Sequence, residues 1–211
     1  MGAQIARSVV LCGVLVALGG CNRDVPKPPP ETTKTPAAAP STERVVGPLS
    51  EADAAALASM NDRLKLYVET HKKLEEGLPK MPKEASPEEI DKNQRAFEAK
   101  VREARKDARQ GDIFGPEAQP VIKRLLATVF AGPEGKELVA SILDENPVGL
   151  KLSVNMRYPD NVPISTVPPE VLQTLPRLSE DMEYRFIGRH LILLDSHAHV
   201  VADFIPDAIP N

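Results

Sequence analysis

Tryptophan is absent from this 211-residue sequence, and five phenylalanines and three tyrosines supply all its aromatic surface. That leaves little for stacking bases or building sugar platforms. Basic charge is not in excess: 26 Lys and Arg face 30 Asp and Glu, a formal net charge of −4. Without a broad positive field, nucleic acid is not an expected partner. Cysteine occurs twice, at Cys12 and Cys21. The one long apolar run falls well short of the roughly 20 residues that a membrane-spanning helix needs. Nucleophile elbow, Walker loop, dinucleotide fingerprint and paired-cysteine zinc patterns are all lacking. These absences favour a protein that is not an enzyme and carries no cofactor, with a hydrolase lacking any recognisable motif as an alternative. What is abundant is proline, at 21 residues, beside an apolar fraction of 42%. That fraction suffices for a real core, so full disorder is excluded.

Arg7 precedes the apolar run Val9 to Leu18, which has the charged start and apolar length of a secretory signal. The run ends in Leu18-Gly19-Gly20-Cys21, which resembles the lipobox of bacterial lipoprotein signal peptides. An aliphatic residue stands three places before the cysteine, and small residues directly before it let a signal peptidase approach the backbone. The resemblance implies that residues 1–20 are a cleaved signal peptide and that Cys12 leaves with them. Cys21 would then be the lipidation site, carrying a diacylglyceryl thioether and an N-linked acyl chain such as palmitate. One remaining cysteine has no partner for an intrachain disulfide, and several acyl chains hold stably to a bilayer. By resemblance to sorting in Gram-negative bacteria, Asn22 after the cysteine implies the outer rather than the inner membrane.

Residues 21–48 comprise that cysteine and a segment with seven of the 21 prolines and no aromatic residue. Such a stretch buries too little to offset its ordering entropy and is expected to be a disordered tether. Fully extended at about 3.1 Å per residue, it would reach roughly 80 Å.

Folding is expected to begin near Ser50, within a helical region spanning residues 49–148. Leu57, Met60, Leu64, Tyr67, His71, Leu74 and Leu78 recur in steps of three and four, one stripe of a helix closed by Gly77 and Pro79. His71 reads as a boundary histidine on that packed stripe. Ser86-Pro87-Glu88-Glu89 has the cap, first-turn proline and third-position glutamate of a capping box. The short loop between the two predicts an antiparallel helical hairpin. The charged surface of the second helix, where bases and acids nearly cancel, reads as a solvated, ion-paired face. A third helix is expected from about Pro116 to Phe130, with Pro120 in its first turn or forcing a later start. A fourth carries Leu138, Val139, Ile142 and Leu143 and is ended by Asn146-Pro147.

In the region 149–211 the period changes to two. Leu150, Leu152, Val154 and Met156 alternate with polar residues as in a half-buried strand. A short helix follows over about Pro169 to Leu175. Tyr184 to Ile187 and His190 to Leu194 read as strands joined by the two-residue turn Gly188-Arg189. A second turn, Asp195 to Ala198, leads into a strand from His199 to Ile205. The expected fold class is α+β: an N-terminal helical hairpin with additional helices, then a small antiparallel β-meander.

The local cluster with metal-ligand character is Asp195-Ser196-His197-Ala198-His199. On an extended chain His197 and His199 point the same way, and Asp195, Asp203 or His190 would supply a third ligand. A polar surface turn between strands explains the same residues. Glu183, Tyr184, Arg185 and Asp195 are candidates for a buried polar network, against the simpler reading of strand packing. The segment with Pro168-Pro169, Leu172, Leu175-Pro176, Tyr184-Arg185, Gly188, Leu191, Leu193 and Asp195 resembles C-terminal modules of uncharacterised bacterial envelope proteins. More faintly, it resembles the C-terminal segment of periplasmic nickel/cobalt-homeostasis proteins. The combined expectation is a membrane-anchored envelope lipoprotein with a structural, adaptor or binding role, partnered by the membrane through its lipid and by an envelope protein. The alternative is a periplasmic metal-binding or metal-sensing protein using His197 and His199.

Overall fold

The computed structural model describes residues 49–145, 149–162 and 164–210. The signal peptide, Cys21 and tether expected within residues 1–48 lie outside the described residues, as does Asn146-Pro147. Eight elements follow in order: α1 Glu51–Glu76, α2 Pro87–Ala104, α3 Gly115–Phe130, α4 Gly135–Asp144, α5 Pro169–Thr174, β1 Met182–Ile187, β2 His190–Asp195 and β3 Val200–Ile205. The fold class is α+β, with the three strands forming one antiparallel sheet in the order β1-β2-β3.

Local chemistry sets the helix starts. The Ser50 side chain accepts from the Asp53 amide at 3.1 Å. Ser86 and Glu89 close a reciprocal capping box at 3.3 and 2.8 Å, satisfying two amides that the helix itself leaves unpaired. Helices α1 and α2 run antiparallel. Arg105 lies over the Tyr67 ring, His71 meets Phe97, and Asn93 bonds the Pro79 carbonyl, so residue numbers fall on one helix as they rise on the other. On its first half α1 packs antiparallel to α3, where Asp53 pairs with Arg124 and Arg63 with Glu117.

Helix α3 begins at Gly115, which leaves Pro120 in its second turn rather than its first. There the ring removes one backbone hydrogen bond. The start is imposed from outside the helix. Asp203, buried on β3, accepts from the amides of Ile113 and Phe114 at 2.8 and 2.9 Å and from Gly111 at 2.8 Å. A carboxylate at a helix N-terminus meets the unpaired amides and the positive end of the dipole together.

The sheet is covered on both faces, which explains the unbroken apolar run Leu191 to Leu194 in β2. One face, with Tyr184, Phe186, Leu191 and Leu193, joins a single core with Met60 and Leu64 of α1, Ile122 and Leu126 of α3, Ile142 of α4 and Val171 of α5. The helical region and the region after residue 149 are therefore parts of one folded unit. The other face, with Ile187, Ile192, Leu194 and Val201, is covered by Tyr158 and the partly buried Leu150, Leu152 and Met156.

That covering segment corrects the strand expected over Leu150 to Met156. It turns at Val154 and Asn155, Asn155 has φ +64°, and among the described residues its ladder contact is an isolated antiparallel bridge between Arg157 and Val200. The alternation reflected burial against the sheet, while the chain was bent by hydrogen bonds of its own. The Asn155 side chain donates to the Arg105 carbonyl at 2.6 Å, and its amide donates to the Val201 carbonyl at 2.8 Å. Arg105 in turn donates to the Asn155 side chain and to the carbonyl of Ala202, the extra residue of a bulge in the β2–β3 ladder. So Arg105, expected on the solvated face of α2, is drawn into the sheet. Elsewhere that face is ion-paired as expected, for example Arg95 with Asp91 and Arg102 with Glu98.

Candidate functional site

Tyr67 and His71 stand one turn apart on α1, so their side chains leave the same face. The apolar stripe turns that face onto the sheet at the end of β2. There Tyr67 donates its hydroxyl proton to Asp195 Oδ2 at 2.6 Å, and His71 Nδ1 meets the same oxygen at 2.7 Å. The other oxygen accepts from the Ala198 amide at 2.7 Å, closing the turn into β3. Asp195 is fully buried, so each of its hydrogen bonds offsets part of a large desolvation cost. With Oδ2 acting as acceptor toward the phenol and the ring alike, the proton of the His71 contact sits on Nδ1.

The opposite nitrogen of that ring differs. His71 is 2% exposed, and its Nε2 has no hydrogen-bond partner among the described residues. The nearest carboxylate oxygen that pairs with it, Asp181 Oδ2, is 3.8 Å away, beyond hydrogen-bonding range. Burial works against the charged ring, but the hydrogen bond and charge of Asp195, with Asp181 and Glu75, outweigh it and leave the His71 pKa raised above 6.5. The Tyr67 phenol is pushed well above its usual 10 by burial and by Asp195.

His197 comes to the same place from the β2–β3 turn. Its ring is 4.7 Å from Phe97 and 5.7 Å from His71 between centroids, and its Nδ1 lies 3.5 Å from Glu75 Oε1. Glu75 is one helical turn beyond His71. Ligand-type atoms of His71, Glu75 and His197 all lie within 4.8 Å of one another. The turn carrying His197 is fastened to Asp181, whose carbonyl accepts from both the amide and the hydroxyl of Ser196 at 3.0 and 3.1 Å.

The residues singled out in the sequence are thus dispersed. His199 takes φ +58° at the end of the turn, so the extended geometry that would aim it alongside His197 is not present. Its ring packs edge-on to Tyr158, and its Nε2 is 3.7 Å from Asp160. Burial and Arg157 lower its pKa. Asp195 spends both oxygens on Tyr67, His71 and Ala198, and Asp203 spends its own on backbone amides, so neither offers a free ligand atom. His190 is at the other end of β2 and accepts from the Asp207 amide at 3.0 Å. The candidate network of Glu183, Tyr184, Arg185 and Asp195 resolves into an Arg185–Glu183 ion pair, with Asp195 engaged elsewhere. His71 and Glu75 were missed as site residues. Their spacing of four on a helix was available, but His71 was absorbed into the apolar stripe.

Comparison of the chain with family models, curated proteins and solved structures finds no match. The site must be read from its own geometry.

Proposed function

We propose that this protein is a lipid-anchored component of a bacterial envelope that carries its folded unit on a proline-rich tether and acts there as an adaptor or binding partner. The observation that carries the reading is Leu18-Gly19-Gly20-Cys21 at the end of the apolar run Val9 to Leu18. The start of α1 supports it. Ser50 caps the first helix, so the folded unit begins in the sequence after the proline-rich segment that follows Cys21. The core shared by helices and sheet also supports it, because a single packed unit can present a fixed surface to a partner. Among the described residues no helix is long and apolar enough to cross a membrane, and the attachment proposed is through Cys21 alone.

Expressed in a Gram-negative host, the full chain should incorporate labelled palmitate and sediment with membranes. Cys21→Ala should lose the label and move to the soluble fraction; retention on membranes would overturn the anchor. Cross-linking in intact cells should give a discrete protein adduct with the anchored chain, and its absence would overturn the adaptor role.

A further inference from the structure

We propose that His71, Glu75 and His197 form a binding site for a divalent transition-metal ion of the zinc class. This proposal stands apart from the lipid anchor. It begins from the unpartnered His71 Nε2, a nitrogen buried with its ring. With Nδ1 donating to Asp195, Nε2 of the neutral ring carries a lone pair. Ligand-type atoms of the Glu75 carboxylate and the His197 imidazole gather with the His71 ring within 4.8 Å, and Asp181 Oδ2 lies 3.8 Å from Nε2. Carboxylates cannot donate to it, and the 3.8 Å to Asp181 is too long for a protonated His71 to donate across. A cation would engage the ring nitrogen, Glu75 and His197 together.

The surroundings have the form of a metal site's outer shell. A carboxylate hydrogen-bonded to the far nitrogen of a ligating histidine fixes its tautomer and orientation and raises its basicity. Asp195 does this for His71 while Tyr67 and the Ala198 amide hold Asp195 in turn. The two histidines arrive from different elements, so the ion would tie α1 to the β2–β3 turn. Ligand bonds of about 2.0–2.2 Å place tetrahedral ligand atoms about 3.3–3.6 Å apart, so the present spacing of up to 4.8 Å has to contract. His71 is held in place. Glu75 is exposed and the His197 side chain retains 33% exposure, so these two have room to close. Two imidazoles with one carboxylate suit zinc and its first-row neighbours rather than calcium or magnesium, which prefer oxygen ligands throughout.

The test is calorimetric titration of the full chain in detergent with zinc chloride. Both cysteines are replaced by serine so that no thiolate competes. One zinc should bind per chain in the micromolar range or tighter. His197→Ala and Glu75→Ala alter side chains outside the core, and each should weaken binding at least about tenfold, the scale of losing a metal-site contact. Circular dichroism of the metal-free variants should show the fold retained. His199→Ala should leave affinity unchanged. Cobalt in place of zinc should give the visible bands of a tetrahedral site, lost in His197→Ala. Binding weaker than micromolar, binding indifferent to His197→Ala, or equal dependence on His199 would overturn the proposal.

Discussion

Replacing Asp195 with asparagine keeps the volume of the side chain and removes its charge at the one point where α1, the end of β2 and the turn into β3 meet. The carboxylate accepts three hydrogen bonds, from Tyr67, His71 and the Ala198 amide, all in buried surroundings. An asparagine has one acceptor oxygen and a donor amide. If its oxygen serves Tyr67 and His71, its NH2 group faces the Ala198 N–H, and a buried donor left unpaired costs about 1–3 kcal/mol. The two remaining bonds fall from charge-assisted to neutral, roughly halving each. Together the loss is about 2–5 kcal/mol. For a folded unit of this size a kcal/mol moves the melting temperature by about 2–4 °C, so a fall of about 5–15 °C is expected. Tyr67→Phe removes only one donor and leaves the carboxylate two, so its cost should be smaller, about 1–2 kcal/mol. Thermal and urea unfolding with a chelator present measure both without any contribution from a bound ion. An Asp195→Asn chain within about 0.5 kcal/mol of wild type, the usual range for surface changes, would refute the view that this carboxylate joins the helices to the sheet.

Two further predictions concern other parts of the fold. A Cβ added at Gly135 would lie 1.9 Å from the Phe130 carbonyl oxygen, so Gly135→Ala must displace the α3–α4 connection at a cost of about 1–3 kcal/mol; a melting temperature equal to wild type would show that the connection is slack. Asp160 is held below its usual 3.8 by its hydrogen bond from Arg157 and by Arg95. Its folded-state pKa is the lower one, so its contribution is present above pH 3.8 and lost as pH falls through the folded value. The stability gap between wild type and Asp160→Asn should therefore close on acidification below pH 3.8, and a gap that stays constant from neutral pH downward would contradict the ion pair.

The starts of α1 and α2 and the buried face of α1 were readable because their causes lie within a few residues of where they act. Ser50, Ser86-Pro87 and the stripe from Leu57 to Leu74 need no distant partner to specify a start or a buried face. The hairpin turn at Gly188-Arg189 is equally local, with Gly188 at φ +56°. The expectation for Leu150 to Met156 failed for the opposite reason. A period of two reports that alternate side chains are covered, and a bent segment lying on a sheet meets that condition as well as a strand does.

The same distinction separates what the sequence determined alone from what the tertiary structure decided. Composition, caps and periodicity determined an α+β chain with a long first helix, a capped second helix and a C-terminal meander. They could not decide the fate of the ionisable residues. Asp195 meets its partners on α1 across 128 and 124 positions, and Asp203 holds the start of α3 across 89 to 92. Two histidines two residues apart were separated by one left-handed residue at the end of a turn, and a histidine on an apolar stripe was brought to one of them instead. Backbone preferences act over a turn or two of chain, whereas the pairing of a buried charge is chosen by whichever donors the packed core delivers to it.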